Sequence, residues 1–156
     1  GLTLTIVGKG SWLPQVKELS QKHKNVIIFD YIPNKELPDT LNEHSIYLLP
    51  ARDTRKMGFR IGAEQFGFTV VEAMACGLAV VTTDCGALPE IVTAQNIVVK
   101  QSDQTALYEA VAELMDDPNA VKRNGKYSAD FAKKNYSEDT QGAQLLKTIQ
   151  NVIRNY

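Results

Sequence analysis

Two carboxylates eight residues apart frame the stretch Glu64-Gln65-Phe66-Gly67-Phe68-Thr69-Val70-Val71-Glu72, the densest concentration of usable chemistry in the chain. If a helix begins near Gly67, its first unpaired N–H groups carry the positive end of the helix dipole and suit a phosphate or diphosphate. Gly67 leaves room for a ligand to approach the backbone. Glu64 then stands in the loop ahead of the helix, and Glu72 near its second turn. Carboxylates accept from hydroxyls and repel phosphates, so a ligand bracketed by both would carry hydroxyls on either side of a diphosphate. A nucleotide sugar has that chemistry. Each residue also has a plainer reading. A loop Glu is ordinarily solvated, and Glu72 taken alone is a capped or ion-paired helix residue. Gly8-Lys9-Gly10, a second glycine-rich turn, lacks the rest of a dinucleotide fingerprint, and Lys9 is as readily solvated as bound. Gly86, in the Cys85-Gly86-Ala87 turn, serves a positive backbone angle as well as a ligand, and Glu90 reads as a helix-turn residue.

The elements that must position these groups follow from periodicity. Leu2 to Val7 is a β-branched run that stops at Gly8, a strand feeding a turn. Ser11 is the cap expected for the next helix, with Pro14 in its first turn and Trp12, Val16 and Leu19 at helical spacing before Lys22, His23 and Lys24. Val26 to Phe29 is a strand, Lys35 to Asn42 a short helix, and Ile46 to Leu49 a third strand closed by Pro50. Residues Ala51 to Ala63, with four basic residues and two glycines, read as one long loop, and loops of that length are usually functional or mobile. Phe68 to Cys76 is helical and Gly77 ends it. Ala79 to Thr83 is a strand, Leu88 to Ile91 one helical turn, and Asn96 to Val99 a fifth strand. Three helices follow, starting at Asp103, at Asp117-Pro118 and at Ser137. Continuous apolar strands alternating with helices indicate α/β, a doubly wound parallel sheet in a single domain, whose ligands sit beyond the carboxyl ends of the strands.

Composition narrows the functional classes. A length of 156 residues suits one domain with one core. Seventeen Lys plus Arg against eighteen Asp plus Glu leave no positive field for a nucleic-acid backbone. The longest apolar stretch, Ala73 to Val81, falls far short of the roughly 20 residues of a membrane span, and no export signal is read at the start. Cys76 and Cys85 are too few for a disulfide scaffold or zinc site and read as reduced thiols, which places the chain in the cytoplasm. His23 and His44 read as surface helix residues.

From Glu64 to Glu90 the text is EQFGFTVVEAMACGLAVVTTDCGALPE, which resembles the signature of the retaining glycosyltransferases of family 4, built from two Rossmann-like domains in the GT-B architecture. The two acids form an E-x7-E motif, followed by the EAMACG helix, a VV strand and a glycine turn before Pro-Glu. IVGKG resembles the family's first glycine loop in this half, IPNKEL its segment near the base, and YSED the start of the helix that packs back across the domain interface. The resemblance implies that residues 1–156 are the C-terminal donor-binding domain of a larger chain, lacking its first strand and helix. Glu64 would orient the donor sugar as the catalytic carboxylate, and Glu72 would bind the ribose. The backbone of Phe66, Gly67, Phe68 and Thr69 would hold the diphosphate. Gly8, Lys9 and Gly10 would lie near the phosphates, with Ile32 and Leu37 beside the base. No cofactor or metal is implied, because helix dipole and basic side chains neutralise the leaving diphosphate.

The implied reaction is transfer of a hexosyl group, with retention, from a UDP- or GDP-linked sugar to a glycan, lipid or small-molecule acceptor, as in polysaccharide biosynthesis. The partner would be the N-terminal acceptor-binding domain, without which the chain is expected to be inactive and through which it would reach the membrane periphery. Departures from the pattern are the absent Arg and Lys of the first elements: either the chain is a fragment that lacks them, the preferred reading, or Arg52, Arg55, Lys56 and Arg60 compensate. Asp30 also stands where many members have Gly, and Cys85-Gly86 replaces a double glycine. Two other classes stay open: half of a GT-B-like nucleotide-sugar epimerase, which would need further acid/base residues, and a non-catalytic α/β interaction module.

Overall fold

The computed structural model describes residues 2–155, with Arg60 described by its backbone. The chain divides into two compact units, residues 1–39 and 40–156.

In the first unit, β1 (Leu4–Val7) pairs in parallel with β2 (Val26–Phe29), from Leu4 opposite Val26 to Val7 opposite Phe29. Helix α1 (Leu13–Lys22) connects them. Its cap differs from the reading above: the N-cap is Trp12, in a helical conformation and with no side-chain cap bond, because a turn closed by the Leu13 N–H on the Gly10 carbonyl (3.1 Å) leaves Ser11 one position too early. No described residue of this unit is buried. Helix α2 (Leu37–Asn42) leads into the second unit.

The second unit holds the core. Strand β3 (Ile46–Leu49) and β7 (Ile97–Val99) flank β6 (Ala79–Thr83), all parallel, in the order β3-β6-β7. All five residues of β6 are buried, and alternation sends them to two layers. Val80 packs with Val70 and Met74 of α3 (Phe68–Ala75), with Leu88 and Ile91 of α4 (Leu88–Ile91), and with Ala132 of α6 (Pro118–Tyr136). Ala79 and Val81 pack on the other face with Ala110 and Leu114 of α5 (Gln104–Asp116). Helices therefore cover both faces of a parallel sheet, the mixed α/β arrangement that the apolar runs foretold.

Helix α6 approaches closely because Gly125 lies against the turn after α3: a Cβ there would come within 2.0 Å of the Gly77 carbonyl oxygen. Buried polar groups are paired. Thr82 and Thr83 hydroxyls donate to the Leu49 and Ala51 carbonyls, and Asn96 joins Thr93 to Ser128 of α6. The N-caps expected at Asp103, Asp117 and Ser137 accept from Ala106, from Asn119 and Ala120, and from Thr140, the last opening α7 (Glu138–Arg154).

The long loop is the main correction. Residues 54–62 form an antiparallel hairpin, β4 (Thr54–Lys56) against β5 (Phe59–Gly62), with Lys56 opposite Phe59. Met57 (φ 51°) and Gly58 (φ 83°) make its two-residue turn, and positive φ at both central positions is the geometry that matches strand twist. No helix among the described residues is long and apolar enough to cross a membrane.

Candidate functional site

The loop after β5 turns sharply into α3, and a set of close backbone contacts fixes that turn. Glu64 Oε1 accepts a hydrogen bond from the Gly67 N–H at 3.0 Å, so the carboxylate is drawn back over the start of the helix. The Glu64 carbonyl accepts from the Ala87 N–H at 3.0 Å. Gly86 makes that approach possible, since a Cβ at position 86 would sit 1.9 Å from the Glu64 carbonyl oxygen. Gly67 caps the helix at φ 83°, and the space its Cβ would take is filled by Leu88 Cδ2 at 2.7 Å and Ile91 Cδ1 at 3.1 Å. Packing and a left-handed backbone therefore account for this glycine on the core side.

The Gly67 carbonyl accepts from the amides of Val70 and Val71, and Glu64 takes the Gly67 N–H. The Phe68 and Thr69 amides enter no hydrogen bond among the described residues, so they are what the helix tip offers to an incoming anion. Phe68 is 73% exposed, which puts the tip at the surface. Phe66 turns the other way: its ring stacks obliquely on Phe68 at 4.8 Å and meets the edge of Tyr136 at 6.0 Å.

Tyr47, a residue the sequence reading passed over, connects the two carboxylates. It projects from β3, with the Thr69 side chain near its hydroxyl. Burial raises its pKa above the ordinary 10.0. The Thr69 side chain opposes that rise, while the negative charges of Glu72 and Glu64 add to it. Both carboxylates thus bear on one phenol, Glu64 from the loop ahead of α3 and Glu72 from its second turn. The Glu72 charge also acts on Cys76, whose pKa is raised by burial first and by Glu72 second. The signal for Tyr47 was a hydroxyl-bearing side chain inside the apolar strand IYLL, just before a functional loop.

Five further residues named from the sequence lie in the unit of residues 1–39. The Gly8 N–H donates to the Phe29 carbonyl at 3.0 Å, Gly8 and Gly10 have open space where a Cβ would be, and Lys9 is exposed. Ile32 and Leu37 are half-buried. Among the described residues no three His, Cys, Asp or Glu side chains converge as a metal-ligand set. The side chain of Arg60 lies outside the described residues, whereas Arg52, Arg55 and Lys56 are exposed on and beside the hairpin. Chemically, the second unit presents two free amides at a helix tip for an anion and two carboxylates beside them for hydroxyls.

Comparison with known proteins identifies the family and the fold. Residues 1–131 match the family described as glycosyl transferases group 1. A GDP-mannose-dependent monoacylated alpha-(1-6)-phosphatidylinositol monomannoside mannosyltransferase of Corynebacterium glutamicum is 31% identical over 153 residues, 97% of this chain and 39% of that protein. The chain thus spans about two fifths of the length of the curated relatives it matches first. Among solved structures, a glycosyltransferase of Rickettsia africae superposes with a TM-score of 0.76 at 18% identity, over 100% of this chain and 41% of that one. An Anabaena protein, HepE, solved in complex with UDP, gives 0.75 at 19% identity, over 96% and 41%. These two likenesses are of fold.

Proposed function

Since the chain belongs to the glycosyl transferases group 1 family, we propose that it is the donor-binding half of a retaining hexosyltransferase that uses a nucleoside-diphosphate sugar. The observation that carries this reading is the Glu64 carboxylate held at 3.0 Å by the Gly67 N–H, beside a helix tip whose Phe68 and Thr69 amides enter no hydrogen bond among the described residues, with Glu72 exposed in the second turn of the same helix. The amides and the positive end of α3 receive the diphosphate and stabilise charge on it as the sugar departs. No metal is required by this scheme. One Glu64 oxygen is committed to the Gly67 N–H, which fixes the carboxylate and leaves its other oxygen for a sugar hydroxyl. Glu72, exposed one turn into α3, accepts from the ribose hydroxyls. The name of the Corynebacterium relative supports guanine as the base and mannose as the hexose.

In this reading the acceptor, a glycan, lipid or small molecule, is brought by a second domain N-terminal to this one, and the 156-residue chain alone transfers nothing. Positioning two reactants is worth roughly 7 to 11 kcal/mol, which half a cleft does not supply. Among the described residues Cys76 and Cys85 are thiols and not a disulfide, which supports a reducing, cytoplasmic setting.

Calorimetric titration with GDP, UDP and ADP tests the proposal, with saturable binding expected and GDP the tightest. Glu72→Ala should weaken GDP by about 1.5 to 3 kcal/mol, the range for a lost charged hydrogen bond. Glu64→Gln keeps an acceptor for the Gly67 N–H, so it should leave GDP affinity nearly unchanged and weaken only the intact GDP-hexose. Absence of saturable binding to all three nucleotides would instead make this an interaction module.

A further inference from the structure

The β4–β5 hairpin carries a second kind of surface. Met57, at its turn, is 89% exposed, and Phe59 and Ile61 are 76% and 60% exposed. Strand alternation puts Phe59 and Ile61 on one face, and Lys56 stands opposite Phe59 in register. Around these apolar residues the charge is strongly one-sided. Residues 51–63 hold four basic residues and one acidic, in a chain whose net charge is -1. The acidic one, Asp53, is engaged at the hairpin's foot, where its N–H donates to Gln101 Oε1 at 2.7 Å and its carboxylate accepts from the Cys85 thiol at 3.4 Å. Arg55 and Lys56 enter no ion pair among the described residues. A cavity of about 580 Å3 opens at the same foot, lined by Arg52, Asp53, Thr54, Arg55, Gln101 and Ser102, two cations against one carboxylate.

We propose that this hairpin docks the chain on a bilayer surface of anionic lipids, its apolar tip in the acyl boundary and its cations among the phosphates. Single apolar side chains projecting from a two-residue turn need no shaped groove to receive them, and a headgroup layer takes them individually. Arg and Lys beside them keep their charge at the phosphate level while their stems lie along apolar surface. The depth is limited. Neither β4 nor β5 pairs with a further strand, so their outer backbone groups require water or headgroups, and only side chains descend into hydrocarbon. The cavity at the foot gives a lipid phosphate room beside Arg52 and Arg55. The apolar residues Met57, Phe59 and Ile61 are none of those assigned to the donor, so the Phe59/Ile61 variant tests this surface apart from the nucleotide reading.

Co-sedimentation of the chain with vesicles tests the proposal. The chain should pellet with mixed phosphatidylcholine and phosphatidylglycerol vesicles and stay in solution with phosphatidylcholine alone. Arg55→Gln with Lys56→Gln should lower the partition coefficient about fivefold per charge. Phe59→Ser with Ile61→Ser should lower it about tenfold or more, with an unchanged circular dichroism spectrum and unchanged GDP titration. Failure to bind anionic vesicles, or binding that neither double variant weakens, overturns the proposal. So does a concentration-dependent dimer in analytical ultracentrifugation that the Phe59/Ile61 variant abolishes, because a second copy would then be the occupant.

Discussion

Position 86 is closed to every side chain by the Glu64 backbone, and this contact places the carboxylate of Glu64. A methyl at 86 meets a carbonyl oxygen at 1.9 Å and takes a φ of 58° as well, so Gly86→Ala should destabilise the chain by about 2 to 4 kcal/mol in urea unfolding. Gly67→Ala should cost less, about 1 to 2 kcal/mol, because it presses on the ends of Leu88 and Ile91, which can shift. Equal losses would mean that the Glu64 backbone is not the rigid wall described. Tyr47 gives a pH signature. Its folded pKa lies above the unfolded value near 10, so its contribution is fully present below pH 10 and is lost as pH rises through the folded value. Unfolding free energy should fall on the alkaline side in the native chain, and Tyr47→Phe should remove that part of the slope. Spacing in the sequence pointed to Glu64, Gly67 and Glu72, because they share one local motif. Tyr47 was not legible, since it reaches the site through the pairing of β3 beside α3, and no local period records that neighbour.

Elements whose ends are marked by a side-chain cap were legible to within a residue or two. Asp103, Asp117 and Ser137 each accept from amides two or three residues on, a local bond that residue type alone announces. Ser11 failed as a cap because a turn, set by the carbonyl of Gly10, begins the helix one residue later. The hairpin of residues 54–62 was illegible for a different reason: its turn uses Met57 at positive φ, where Asn or Asp would have been the readable choice. Asp117 allows a test at this scale because it closes α5 and caps α6. Hydrogen bonds from the Ala120 amide lead in lowering its pKa, opposed by partial desolvation and helped by Asn119 and Arg123. A lowered folded pKa contributes stability above the unfolded value of 3.8 and loses it as pH falls through the folded value. Asp117→Ala should lower the melting temperature at pH 7 and flatten the acid limb. Asp117→Asn, still a good cap, should flatten that limb while keeping most of the melting temperature. An acid limb unchanged in both variants would remove Asp117 from the account.

The α/β class and its covered parallel strands were legible because β3, β6 and β7 are largely apolar runs, the usual mark of parallel strands covered by helices on both faces. The distribution of stability was not legible, since β1 and β2 read just as apolar. Yet Val7, Ile27 and Phe29 are exposed and each strand has one partner, whereas β6 has two and lies between two apolar layers. A two-stranded pair without a buried face is marginal in water. Amide exchange should therefore be slowest at Val80, Val81 and Thr82 and roughly a hundredfold faster or more at residues 4–7 and 26–29. Adding GDP then separates two ways in which the chain could bind it. If Gly8, Lys9 and Gly10 meet the phosphates, as the family resemblance implies, saturating GDP should slow exchange in residues 4–10 as well as at Phe68 and Thr69. Protection confined to the α3 tip would restrict donor binding to the unit of residues 40–156 and remove the first glycine turn from the site.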